Sequence, residues 1–125
     1  MAPVVLIDEE WLLEVAQTYI PGDPDVIDYG ALAAAVARHR YAVMGTLVYP
    51  EPHHRAAALL HTLARVPALE HSNELFAAMT ASAYLQASGQ QVKVTTDDAA
   101  DLVAAVTGGR LTIRDAAAAV KNWIS

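Results

Sequence analysis

Apolar residues recur at helical spacing along most of the chain, and turn-forming residues punctuate the runs. Pro3 to Ile7 reads as a short extended lead-in, and Asp8 has the character of an N-cap, with Glu9 and Glu10 suited to the positive end of a helix dipole. Behind it, Trp11, Leu12, Val15, Tyr19 and Ile20 fall near one helical face while Glu14 and Gln17 point away. Pro21-Gly22-Asp23-Pro24 ends that helix in a turn-rich connection. Asp28 caps a second helix, from Tyr29 to about Arg40, whose apolar residues are mostly alanine, with Leu32 and Val36. Residues 41–52 contain Gly45, Pro50 and Pro52 and read as a loop, with 41–48 apolar enough for part of it to be helical or packed. A third helix is expected from His53 to Val66, where Pro67 interrupts the pattern and 68–72 form a short loop.

The segment from Asn73 to about Ser88 carries Leu75, Phe76, Ala77, Ala78, Met79, Ala81, Ala83, Tyr84 and Leu85. Apolar residues on every face mark a helix buried all round, so this segment is the expected central helix. Gly89 closes it, and residues 91–94 read as extended. Thr95 or Thr96, with Asp97 and Asp98, opens a helix that stops at Gly108-Gly109. Thr112-Ile113-Arg114-Asp115 has the spacing of a capping box, with Asp in place of Glu, and the last helix is expected to carry Val120, Trp123 and Ile124 inward. No repeat, linker or boundary divides the chain. The pattern predicts one all-α domain over residues 1–125, a compact helical bundle around a buried helix.

Composition sharpens this picture. The chain of 125 residues is 54% hydrophobic, but much of that is alanine, which buries little area per residue. The few large side chains, Trp11, Phe76 and Trp123 with the leucines, must therefore carry much of the core. The net charge of −6 and the absence of a visible Lys/Arg cluster argue against nucleic-acid binding. An acidic surface would instead favour a partner segment containing Lys or Arg. Without cysteine there are no disulfides, thiolate metal sites or thiol catalysis. The opening residues lack a signal-peptide core and no apolar run is long enough for a bilayer, so a soluble, cytoplasmic protein is expected, with no membrane association. High apolar content with few charges also predicts an exposed patch, and with it a homodimer.

Standard signatures of chemistry are missing. There is no GxGxxG, phosphate loop or HExxH, and Gly108-Gly109 reads as a helix stop. His54 and His61 share a helical face but stand about 10 Å apart along the axis. That is too far for two ligands of one zinc, whose bonds run about 2.0–2.1 Å, so no metal site is predicted. These histidines read as surface or helix-end residues, and His39, between Arg38 and Arg40, sits where a helix C-terminus favours a cation. Tyr19, Tyr29, Tyr41, Tyr49 and Tyr84 read as core and rim residues rather than a base-stacking platform.

A helix, a short loop ending in a small residue and Asn, and then an apolar helix resemble the Fic superfamily. More narrowly, the chain is similar to its Doc (death-on-curing) family. The opening Ile7-Asp8-Glu9-Glu10-Trp11-Leu12 looks like the Doc entry into its first helix. Gly89-Gln90-Gln91-Val92, Ala100-Asp101-Leu102, Thr107-Gly108 and Ala117-Ala118 follow the Doc tail in spacing. The resemblance implies a Fic/Doc-type bundle over nearly the whole chain. Fic enzymes carry H-x-F-x-D/E-G/A-N-x-R between the two helices. There the His takes a proton from the attacking hydroxyl, the acid holds the metal that bridges phosphates, the small residue and Asn cradle anionic oxygens at a helix N-terminus, and the Arg neutralises phosphate charge.

Aligning the Asn to Asn73 puts Pro67 at the base position, Leu69 at the aromatic one, His71 at the acid and Ser72 at the small residue. Glu74 then stands for a usual Lys, and Leu75 for the arginine. Proline accepts no proton, leucine grips no phosphate, and Glu74 repels it. Ser72 and Asn73 remain as an anion-binding remnant, and no cofactor is expected. Slipping the register to make His71 the base pushes the rest of the motif into the apolar helix. The implied function is a catalytically degenerate Doc-like binding or regulatory module, a toxin–antitoxin-type component with a protein partner such as an antitoxin-like peptide segment. The alternative is an active toxin that transfers phosphate or nucleotide to a protein hydroxyl through a non-standard site, using His71 with His53, His54 or Glu70.

Overall fold

A computed structural model describes residues 4–124, and within them six helices and one small hairpin follow in the order α1 (Glu9–Tyr19), α2 (Tyr29–His39), β1 (Ala42–Val43), β2 (Thr46–Leu47), α3 (Pro52–Arg65), α4 (Asn73–Ala87), α5 (Thr96–Thr107) and α6 (Ile113–Lys121). Pro3, the first residue of the expected lead-in, lies outside the described residues. The architecture is all-α apart from the hairpin.

Local chemistry sets the helix starts. The Asp8 carboxylate accepts the Trp11 N–H at 2.9 Å, Asp28 accepts that of Ala31 at 3.3 Å, and the Thr95 hydroxyl accepts that of Asp98 at 3.0 Å. At Thr112 both arms of the capping box are present, each 3.1 Å long. These bonds hold the Asp115 carboxyl below the usual carboxylate range, the Thr112 backbone N–H contributing most. None of the described helices is long and apolar enough to cross a membrane.

Helix α3 is the hub, packed against α2, α4, α5 and α6. Ala56, Ala57, Ala58, Leu59, Leu60, Leu63 and Ala64 are all buried along it, and the alanines let neighbouring axes come close. Helix α4, expected at the centre, buries Phe76, Ala77, Ala81, Tyr84 and Leu85 but exposes Glu74, Leu75 and Gln86. Its all-round apolarity comes from half-buried flanks under α1 and α5 and from the exposed Leu75. The last helix stops at Lys121. Trp123 and Ile124 lie beyond it, where Ile124 forms a single β-bridge with Val92 and Lys93 N–H donates to the Trp123 carbonyl at 2.6 Å.

The expected loop at 41–52 is partly a β-hairpin, with Ala42 opposite Leu47 and Val43 opposite Thr46. Met44 (φ 51°) and Gly45 (φ 80°) form its tip, and positive φ at both is the geometry that matches strand twist in a two-residue turn. Strands of two residues are too short to leave an alternating pattern.

A buried polar knot crosses the core. The Arg55 side chain, 2% exposed on α3, donates through Nε to the Tyr84 hydroxyl at 2.6 Å and through Nη1 to the carbonyls of Tyr49 (3.1 Å) and Pro50 (2.8 Å). The Tyr84 hydroxyl donates in turn to the Val5 carbonyl. The edge of His39 meets the Tyr84 ring at 4.8 Å and 84°. His39 Nε2 accepts the Ile7 N–H at 3.1 Å, which places the imidazole proton on Nδ1, 3.5 Å from the Arg55 carbonyl oxygen. His39 is therefore a buried neutral ring, not the helix-end cation expected from sequence. Burial pushes its pKa down to about 4, and the Arg55 and Arg40 charges push the same way.

Two outcomes follow from the knot. Tyr84→Phe leaves the Arg55 Nε and the Val5 carbonyl without their partner and should lower unfolding free energy by about 2–4 kcal/mol, read from urea melts. Between the ordinary histidine pKa of 6.5 and the folded value of about 4, the unfolded chain holds the extra proton at residue 39. Stability from His39 is thus whole above pH 6.5 and lost as pH falls through that window, by about 3 kcal/mol in total. In His39→Gln, which keeps an acceptor for Ile7, the acid-side loss should shrink by about that amount.

Candidate functional site

The turn from Pro67 to Ser72 joins the hub α3 to α4, and its backbone is pinned from two sides. Ala68 accepts from Ile27 N–H at 2.7 Å and Asp28 N–H at 3.2 Å, and Glu70 N–H donates to the Asp25 carbonyl at 3.0 Å. The Glu70 carboxylate accepts Asp25 N–H at 2.9 Å, and Val26 bridges Leu69 in antiparallel fashion. From the other side the Asn73 side chain spans the turn: Oδ1 accepts the N–H groups of Ala68 (3.0 Å) and Leu69 (2.9 Å), while Nδ2 donates to the Leu69 carbonyl at 2.9 Å. The amide holds the loop's own backbone.

Each sequence-singled position can now be placed. Pro67 is exposed and ends α3 without offering a titratable group. Leu69 is buried at 1% exposure and anchors the turn in the core. His71 is exposed, its Nδ1 2.8 Å from the Ser72 hydroxyl and its ring against Gly22. Ser72 takes left-handed backbone geometry (φ 66°) and makes no side-chain cap to α4, because its hydroxyl faces His71 instead. Glu74 and Leu75 are exposed on the first turn of α4, Leu75 at 42%. His71 is not brought to the other histidines of the alternative mechanism: the His53 ring packs on His54 at 4.2 Å, and both open α3 at the end away from the turn. Among the described residues no group of three or more His, Asp or Glu could hold a metal ion.

Sequence reasoning missed two features. Arg55 looks like a solvated helix residue but is buried, and only its position among Ala and Leu could have signalled that. The second is a basic groove, where no Lys/Arg cluster was expected. Arg38 from α2, Arg65 from α3 and Arg114 from α6 line one groove with His54, His61, Tyr41 and Tyr49. His54 and His61 are half-buried there rather than surface residues, and the His61 Nε2–H donates to the Leu111 carbonyl at 3.0 Å. The His61 pKa is lowered, by burial first and then by the Arg38 and Arg65 charges, against the Leu111 hydrogen bond, which raises it.

No family model matches the chain. Over 91 residues it is 38% identical to Toxin Doc of Mycolicibacterium smegmatis, a stretch covering 73% of this chain and 70% of that protein. The aligned share thus takes in most of either chain.

If Asn73 serves the loop rather than a ligand, its two functions separate by mutation. Asn73→Ala removes three hydrogen bonds and should cost about 1–3 kcal/mol in chemical denaturation. Asn73→Asp keeps the acceptor for both N–H groups and adds a favourable charge at a helix N-terminus, so its loss should be under half as large.

Proposed function

The chain belongs to the Doc toxin family, and from that premise we propose that it is a catalytically silent member, a toxin–antitoxin-type component that works by binding a protein partner. One observation carries the reading. The Asn73 amide, the residue of the turn that best fits the family's phosphate cradle, is bonded through both its oxygen and its nitrogen to the backbone of Ala68 and Leu69. Around it, Pro67 and Leu75 stand where the family pattern has its base and its arginine, and neither can move a proton or neutralise phosphate charge. Glu74 adds repulsion on the same turn, and the turn's other acid, Glu70, is engaged with Asp25. The turn is held by its own backbone and the Asn73 amide, and a partner of the antitoxin kind needs shape and surface rather than a nucleotide or a metal. The competing reading, transfer of phosphate or nucleotide to a protein hydroxyl through a non-standard site that uses His71, is favoured only by the exposure of that ring, whose Nδ1 is already beside Ser72.

Calorimetric titration with magnesium–ATP or magnesium–GTP should give no saturable heat, and expression in a bacterial host should leave growth unaffected. Pro67→His alone should restore neither labelling of a protein in lysate nor growth arrest, because the acid and arginine of the pattern are still lacking. Micromolar nucleotide affinity in the wild type, or activity in that single variant, would overturn the silent reading.

A further inference from the structure

The basic groove stands at the junction of α2, α3, the chain flanking the hairpin and the start of α6, and none of the residues from Pro67 to Leu75 lines it. Its volume is ≈ 1020 Å³, several times what one phosphate or carboxylate group fills and enough for a short run of side chains. The floor is apolar and made of small residues on two helices, Ala34 and Ala37 from α2 and Ala117 from α6, with Leu111 and Ile113 beside them. Small residues there let another backbone approach closely. Arg38, Arg65 and Arg114 are exposed on the groove, and among the described residues its lining contains no Asp or Glu.

Charge is thus segregated in this molecule. The chain has 8 basic residues against 14 acidic ones, yet three of the eight meet on this groove without a lining carboxylate. Two independent details locate the positive field. The Arg65 guanidinium is braced over the end of α5, where a Cβ on Gly109 would come within 2.6 Å of its Nη1 atom. His61, inside the groove, has its pKa lowered by burial first and then by the Arg38 and Arg65 charges.

We propose that this groove docks an acidic, amphipathic peptide segment of a partner protein, its apolar residues on the Ala34–Ala37–Ala117 floor and its carboxylates on Arg38, Arg65 and Arg114. The occupant follows from complementarity. An apolar floor rewards side chains that a nucleic-acid backbone or free phosphate lacks, and the acidic remainder of the surface repels a polyanion longer than the groove. A short segment bearing Asp or Glu beside Leu or Val satisfies floor and rim together. The inference goes beyond the reading of the chain as a silent Doc-like module, since it depends on the groove and not on the Pro67–Leu75 turn.

The test uses amide-resolved NMR titration of the full chain with two synthetic helical peptides that share their leucines and differ only in carrying glutamate or lysine. Saturable shifts confined to Ala34, Ala37, Leu111 and Ala117 are expected with the glutamate peptide. Affinity should fall at least about tenfold for the lysine peptide and for the Arg38→Glu/Arg114→Glu variant, both changes lying at exposed sites. Ala37→Phe, which fills the floor and leaves the charges alone, should weaken binding by a similar factor. Unchanged thermal midpoints certify that the variants fold. Equal response to both peptides, shifts centred elsewhere, no saturable shift at millimolar peptide, or the same shifts from inorganic phosphate or a short single-stranded DNA would each overturn the proposal. Nucleotide titration and the growth assay are unaffected by any of these results, so failure here and failure of the silent reading remain distinct.

Discussion

A guanidinium sealed inside an alanine-rich bundle has to be satisfied by fixed oxygens, and Arg55 recruits them from segments far apart in sequence. Its bonds to Tyr84, Tyr49 and Pro50 join α3 to α4 and to the chain leaving the hairpin. Tyr84 and His39 extend the same network to Val5 and Ile7. Burying a charge is expensive, and the low local dielectric that makes it so also strengthens each bond once made. The alanine faces around it supply close approach but little discrimination between alternative packings. The knot adds directional bonds that tie the N-terminal segment, α2, α3, α4 and the hairpin exit to one another.

The turn before α4 obeys the same rule on a smaller scale. It carries polar backbone close to the core, and Asn73 with residues 25–28 satisfies that backbone. A loop built this way can keep the geometry of its family while its side chains lose the family's chemistry. Shape is held by amides and carbonyls that any residue brings, whereas catalysis needs particular side chains at particular stations. A turn fixed through its backbone in this way leaves its exposed side chains free to vary.

Much of the fold was legible because it is locally encoded. Asp8, Asp28, Thr95 and the Thr112–Asp115 box announce helix starts through hydrogen bonds made within three residues. What escaped was encoded at a distance. The hairpin has strands too short for a period, and α3 rather than α4 became the hub because burial depends on neighbours as well as on apolar count. His39 looked like a helix-end cation until the Ile7 N–H and the Tyr84 ring enclosed it. Arg38, Arg65 and Arg114 are separated by dozens of residues, so their meeting on one groove has no signature along the chain.

The segment leading into α1 is held through its main chain as well as by the buried Ile7 side chain. Val5 and Ile7 offer carbonyls to Tyr84 and Arg40, Ile7 offers its N–H to His39, and Leu6 offers a carbonyl to Arg40 while its side chain faces solvent. Such an arrangement counts residues more strictly than it reads them. Relatives can drift in identity at a position like Leu6, whereas a one-residue insertion or deletion ahead of α1 would put every carbonyl and amide of the segment out of step with its receptor.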